Sequence, residues 1–227
     1  MNLSVIIPAL NEEKSIGYVI KSIPKIYREV IVIDNGSSDK TSEIATQNGA
    51  KVITEENKGY GFACLKGLDF LKKNPPDIVV FLDGDYSDYP EEIIKIIDPI
   101  YNSDIDFVIG SRVKSSREKG SMTPQQIFGN KLACFLMDIL YESDFTDLGP
   151  FRAIKWKTLE GLKMSDKTYG WTIEMQLKVL ANSIPYCEVP VSYRKRIGHS
   201  KVSGTFKGTV LAGIKIIGWI FKYYFKK

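Results

Sequence analysis

Short apolar runs, mostly β-branched and each closed by turn-forming residues, recur along the first 110 residues at positions 3–7, 30–33, 52–54, 78–82 and 107–109. Between them lie stretches with helical spacing. Strands joined by helical crossovers pair in parallel and bury both faces, so the rhythm predicts an α/β fold, an open, mostly parallel twisted sheet flanked by helices. The helix ends are readable too. Residues 12–22 stop before Pro24, Ser38 and Asp39 offer N-caps to a helix ending at Asn48-Gly49, and residues 65–73 stop at Pro75-Pro76. In such sheets ligands bind at the carboxyl ends of the strands.

Beyond Gly110 the pattern changes to a polar loop over 111–121, a candidate lid, then a helix from 124 to about 141 and a second loop through Gly149-Pro150. No repeat or linker divides the chain, which predicts one domain over 1–204 and a C-terminal amphipathic helix over 205–227. In that helix Lys207, Lys215 and Lys222 fall near one face, with Val210, Leu211, Ile214, Ile217, Trp219, Ile220 and Phe221 elsewhere. Residues 194–227 carry nine of the 31 Lys and Arg and no acid, leaving 22 basic against 27 acidic residues before them. Lys215 interrupts the apolar stretch, which falls short of the roughly 20 residues a span requires. Two readings follow: a helix lying in the membrane interface against anionic lipid, or one packed on the sheet or at a homo-oligomer contact.

Three unpaired cysteines, Cys64, Cys134 and Cys187, fit a reducing cytosol better than a disulfide framework. The chain opens on a strand without a basic leader, so no signal peptide is expected. One histidine, His199, makes a zinc site unlikely chemistry, and any catalytic metal is expected to be a hard cation on oxygen ligands, Mg2+ or Mn2+.

The stretch Ile78-Val-Val-Phe-Leu-Asp83-Gly-Asp85-Tyr-Ser87-Asp88-Tyr-Pro90 places two carboxylates one residue apart where a strand ends. Both can approach a divalent ion that also grips a diphosphate. The plainer reading is a polar turn, and a third is a phosphatase with Asp83 as nucleophile, although that motif normally follows a strand near the chain start. Asp34 closes the second strand in Asp34-Asn35-Gly36-Ser37-Ser38-Asp39; a capping cluster accounts for Ser38 and Asp39 but leaves Asp34 free to accept from a base or ribose. Pro8-Ala9-Leu-Asn11-Glu12-Glu13 also reads as a turn with acids favouring a helix N-terminus. Lys58-Gly59-Tyr-Gly61 follows the third strand without the dinucleotide pattern; its glycines would let backbone approach a nucleotide, with Lys58 toward phosphate, or simply make a flexible loop.

Taken in order, Val5-Ile-Ile-Pro8-Ala-Leu-Asn11-Glu12, Asp34-Asn-Gly-Ser37-Ser-Asp39-Lys-Thr41, Asn57-Lys-Gly59-Tyr-Gly61, Asp83-Gly-Asp85, Gly110-Ser-Arg112, Asp147-Leu-Gly149-Pro-Phe151-Arg152 and Tyr193-Arg-Lys-Arg196-Ile-Gly-His-Ser200-Lys201 resemble family 2 glycosyltransferases of the polyprenyl-phosphate (dolichyl-phosphate) sugar synthase type. The resemblance implies the GT-A fold. It also implies an inverting transfer of a hexose, glucose or mannose, from a UDP- or GDP-linked donor to a polyprenyl or dolichyl phosphate at the cytoplasmic face of a membrane, with no nucleic-acid partner.

By the same resemblance, Asp83 and Asp85 bring the metal to the diphosphate, and Pro8, Ala9, Asn11, Glu12, Asp34, Gly36, Lys58, Gly61 and Gly84 surround the nucleotide. Arg112, Arg152, Arg194, Arg196, Ser200 and Lys201 are expected at the anionic acceptor and diphosphate. A phosphate acceptor is already anionic and needs no strong base. Asp147 would orient it or act as base, and Glu174 would reach the sugar or stabilise a helix. Ser87 stands where relatives carry an amide or acid as a further metal contact, a place water can take. Lys114 and Lys195 read as solvated surface charge. The alternatives are a soluble glycan or small-molecule acceptor on the same fold, the phosphatase, and a non-catalytic membrane-surface module.

Overall fold

A computed structural model describes residues 2–198 and 206–225, with the side chains of 206–210 outside the description. Seven strands form one sheet: β1 (Leu3–Ala9), β2 (Glu29–Asp34), β3 (Lys51–Thr54), β4 (Ile78–Phe81), β5 (Phe107–Ser111), β6 (Arg152–Lys155) and β7 (Tyr186–Pro190), in the order β3-β2-β1-β4-β6-β5-β7. The five strands read from the sequence are β1 to β5. Pairing is parallel except at β6, which runs antiparallel to both β4 and β5.

Alternation along the strands feeds two apolar layers. Ile6, Ile31, Ile33, Val79, Phe81, Phe107, Ile109 and Ile154 point into one, and Val5, Ile7, Val30, Val32, Ile78, Val80, Val108 and Ala153 into the other. Helices α1 (Ile16–Ser22), α2 (Thr41–Gln47) and α4 (Ile93–Asn102) cover the second layer. On the first lie α3 (Tyr60–Leu71), α5 (Pro124–Tyr141), α6 (Trp156–Leu162) and α7 (Trp171–Ala181), with α8 (Phe206–Tyr224) resting on α5 and α7. Thr123 and Gln126 close a reciprocal capping box that starts α5 where Pro124 permits it. The helix expected over 65–73 begins earlier, at Tyr60, because Gly59 at φ 151° turns the chain into it.

The inverted strand matters most for function. In an antiparallel strand the amino end lies at the edge where parallel neighbours have their carboxyl ends, so residues 147–152 are delivered to the edge where β4 and β5 end. Arg152 stands level with Phe81 and Ile109. Gly149 is required there: a Cβ would sit 2.5 Å from the Gly110 carbonyl oxygen.

The C-terminal helix is firmly seated. Ile220 is fully buried, the Tyr141 hydroxyl donates to the Ile220 carbonyl at 2.6 Å, and Trp219 Nε1 and Lys215 Nζ both meet Asp166 at 2.8 Å. Its outer face exposes Leu211, Ile214, Phe221 and Phe225, and α5 beside it exposes Phe128, Phe135 and Ile139. Among the described residues no helix is long and apolar enough to cross a membrane.

Candidate active site

The ends of β1, β2 and β4 line one half of the sheet edge. After β1, Asn11 takes a left-handed conformation (φ 52°), its N–H donates to Ser37 Oγ at 2.9 Å and its Oδ1 accepts from Ser38 N–H at 2.8 Å. Glu12 N–H donates to Thr41 Oγ1 at 2.8 Å, so the two βα turns are stitched together. Asp34 is not free: Ser37 N–H donates to its Oδ1 at 2.9 Å and the Ser42 hydroxyl to its Oδ2. Its carboxylate organises the turn around Gly36 (φ 79°), a role the spacing of the capping residues had hidden.

Asn35, to which the sequence assigned nothing, ties this turn to the next. Its amide donates to the carbonyls of Glu55 (3.0 Å) and Asn57 (2.6 Å) and its Oδ1 accepts from Gly59 N–H (2.7 Å). Lys58 stays exposed beside that anchor. The expectation that Gly61 clears space for a nucleotide is corrected: a Cβ on Gly61 would lie 2.1 Å from the Asp166 carbonyl oxygen, so the close approach is to the chain itself. At Gly84 a Cβ would meet Ile16, Ile7 and the Pro8 carbonyl at an ordinary 3.5 Å. Pro8 and Ala9 are buried in β1, level with Ile33 and Asp34.

Beyond β4, Tyr86 is held at φ 61°, a conformation non-glycine residues seldom adopt. That turn folds Ser87 back so that its N–H (2.9 Å) and hydroxyl (2.6 Å) both donate to Asp85 Oδ1. Asp83 Oδ1 accepts from the Tyr60 hydroxyl at 3.1 Å. Burial and the adjacent Asp85 carboxylate raise the Asp83 carboxyl to about 7. Asp88 is 2% exposed and is pushed well above the carboxylate range by burial and by the charges of Asp83 and Asp85.

Across these acids lies the segment after β7. Arg196 reaches Asp85 Oδ2 at 3.1 Å and Glu12 Oε1 at 2.8 Å, and Ile197 N–H donates to the Asp85 carbonyl. The Arg194 guanidinium is stacked 3.7 Å from the ring centroids of both Tyr86 and Tyr89. Both arginines therefore stand over the acidic turn. Ser200 and Lys201 lie outside the described residues.

The second half of the edge is built from matched charges. Arg112 closes a bidentate fork on Asp147, Nε to Oδ2 at 2.8 Å and Nη2 to Oδ1 at 2.7 Å, while its backbone N–H donates to Oδ2 at 2.8 Å. Burial opposes the guanidinium charge, but Asp147 outweighs it, and the pKa lies well above its ordinary value. Glu188, which no pattern pointed to, accepts from Thr146 and Asp147 N–H and pairs with Lys114 at 2.9 Å, so Lys114 is not the unattached surface charge expected. Lys195 holds Glu118 through its backbone N–H at 3.0 Å.

Arg152 departs from its expected place, and of the two readings of Glu174 the structural one fits. Arg152 is fully buried and donates to the carbonyls of Gly149 and Thr172, bracing the loop before β6; burial lowers its pKa to about 10 and leaves it no face toward an acceptor. Glu174, also fully buried, accepts from Ser165 and Asp166 N–H and pairs with Lys178 at 2.8 Å, so it stabilises the loop before α7 rather than facing a sugar. Outward from Arg112 a cavity of about 400 Å3 opens, with Arg117, Lys131 and Asn130 on its walls.

The model of the family described as Glycosyl transferase family 2 matches residues 4–162. A low-salt glycan biosynthesis hexosyltransferase of Haloferax volcanii is 31% identical over 88% of this chain, which spans about half (49%) of that protein's length. The dolichyl-phosphate hexose transferase of the same organism is 32% identical over 95% of this chain and 92% of its own. Among solved structures, glucosyl-3-phosphoglycerate synthase from Mycobacterium tuberculosis, in complex with Mn2+, UDP and phosphoglyceric acid, superposes with a TM-score of 0.79 at 23% identity, covering 98% of this chain and 78% of that one. That likeness establishes the shared fold, the GT-A arrangement expected from the sequence. The chain is a glycosyltransferase and belongs to glycosyl transferase family 2.

Proposed function

We propose that the protein transfers a hexose from a UDP- or GDP-linked donor, bound with Mg2+ or Mn2+, to a polyprenyl phosphate of the dolichyl type. The observation that carries this reading is the division of charge along one sheet edge: acids crowd together after β4, and a cavity with Arg112, Arg117 and Lys131 on its walls opens after β5. The acids fit a divalent cation. Asp83 holds a proton up to about 7 and both oxygens of buried Asp88 lack a hydrogen-bond partner, as expected of carboxylates that await positive charge. Asp83 and Asp85 would hold the ion, which supplies charge neutralisation for the departing diphosphate. Arg196 lends positive charge to Asp85 until the donor arrives and is then free to meet phosphate.

Asp147 keeps the Arg112 fork rigid, so Arg112 presents a fixed cation to an anionic acceptor and the Asp147 carboxylate, fully engaged, is not a base. An acceptor already carrying negative charge needs none. Support for a lipid comes from the name of the Haloferax relative and from the apolar face that Phe128, Phe135, Ile139, Leu211, Ile214 and Phe225 expose, suited to a membrane surface at the cytoplasmic face. Residues 1–204 would then be the catalytic domain and 205–227 its membrane-facing helix. A second reading, a small soluble phosphorylated acceptor, is favoured by the compact cavity and by the phosphoglycerate that the structural relative holds. Family membership sets aside the phosphatase reading of Asp83.

Product analysis with Mn2+ decides. Glycosylated lipid from a short-chain polyprenyl phosphate supports the reading; product from phosphoglycerate alone replaces it with the second, and release of free sugar alone with both acceptors overturns both.

A further inference from the structure

We propose that Asp88 is a positioning residue of the cation site, its carboxylate accepting a hydrogen bond from water bound to the ion at Asp83 and Asp85. The inference rests on the cation reading above. Asp88 is buried and neither carboxylate oxygen has a hydrogen-bond partner among the described residues. A buried carboxylate without donors is costly and seldom kept without a use. Neither neighbouring guanidinium bonds to it, although Arg194 Nε is buried without a partner among the described residues. Arg112 turns Nε and Nη2 of its guanidinium to Asp147, and Arg194 spends one amino group on the Asp88 carbonyl at 3.1 Å rather than on its side chain.

The backbone holds Asp88 in place from both sides. It pairs in an isolated antiparallel bridge with Tyr193, and Arg194 N–H donates to the Ser87 carbonyl at 2.9 Å. The Asp88 backbone is thus set by the strap after β7, close enough to the acid pair for the charges of Asp83 and Asp85 to act on its carboxyl. The Ser87 hydroxyl spends its hydrogen on Asp85 at 2.6 Å and so offers Asp88 no donor. Nor do three acids converge closely enough to hold an ion together: no such group exists among the described residues. A water on the ion would supply the donor that Asp88 lacks. Mg2+ and Mn2+ with few protein ligands keep several waters, each a strong donor, and carboxylates behind those waters orient the shell.

The experiment is Mn2+ titration followed by the electron paramagnetic resonance of free Mn2+, in the presence of UDP and separately of GDP. For Asp88→Asn we expect Mn2+ affinity weakened about 10- to 100-fold with the metal-free melting temperature not lowered, and for Asp85→Asn no binding. Absence of Mn2+ binding by the wild type with either nucleotide overturns the cation reading itself. Binding by the wild type, loss in Asp85→Asn and affinity within twofold of wild type in Asp88→Asn overturns only the role of Asp88. A fall in turnover at unchanged Mn2+ affinity does the same and assigns Asp88 to the acceptor. Should the asparagine variant not fold, Asp88→Ser is read in the same way. Proton electron–nuclear double resonance on the wild type checks it without mutation, because an Mn2+ shell without water overturns the proposal.

Discussion

The two halves of the sheet edge handle charge in opposite ways. After β1, β2 and β4 the acids crowd one another: the Asp83 carboxyl is raised to about 7 and neither oxygen of Asp88 has a hydrogen-bond partner among the described residues. After β5 and around β6 and β7 charges are paired within the fold, Arg112 with Asp147 and Glu188 with Lys114, while Arg152 is solvated by backbone carbonyls. The first half bears an electrostatic imbalance that a ligand can relieve; the second is pre-organised without one. Neutralising a site internally stabilises the fold, whereas leaving charge uncompensated costs stability and favours binding.

The largest effect should come from the unbalanced half. Asp85→Ala is expected to lower turnover by about a thousandfold while the melting temperature holds or rises; a stability loss as large as the activity loss would make Asp85 a structural acid. In the matched half the signs reverse. Asp147→Asn leaves Arg112 buried against a neutral partner and should cost about 3 kcal/mol in urea unfolding. Unchanged stability with collapsed turnover would instead mark Asp147 as the base.

Gly61→Ala forces a Cβ into the Asp166 carbonyl and should cost roughly 1–3 kcal/mol. Gly84→Ala, with contacts at 3.5 Å, should be milder in stability and felt in donor affinity. Equal behaviour of the two would erase the distinction between a packing glycine and one at the site. The smallest effect is on pH. Because the folded carboxyl of Asp83 sits near 7 and the unfolded one at 3.8, the metal-free fold binds more protons between those values and loses stability as pH rises through them. Protons compete with the cation over the same range, so Mn2+ affinity should fall by at most about tenfold per pH unit below 7. Asp83→Asn should flatten the stability slope seen by thermal melting.

The legibility of the two halves differs for the same reason that their charges do. The position of Asp83 and Asp85 at the end of β4 was readable because a strand and its turn are contiguous, and a local pattern carries local geometry. Arg152 was misplaced and Glu174 left between two roles because motif order says nothing about which way a side chain faces: one is turned into carbonyls, the other into the loop before α7. Glu188 and Asn35 were missed because their partners are distant in sequence. Asn35 reaches Glu55, Asn57 and Gly59; Glu188 reaches back more than forty residues to Thr146.

The chain order of apolar runs and helical spacings by itself determined the α/β class and the five parallel strands, since burial on both strand faces and the length of a crossover leave few other solutions. Only tertiary structure decided that β6 enters inverted, that Asp147 and Arg112 neutralise each other and that Arg196 lies across Asp85. Those outcomes depend on pairing between segments far apart in the chain, and desolvation of a charge is set by everything that surrounds it rather than by its neighbours in sequence.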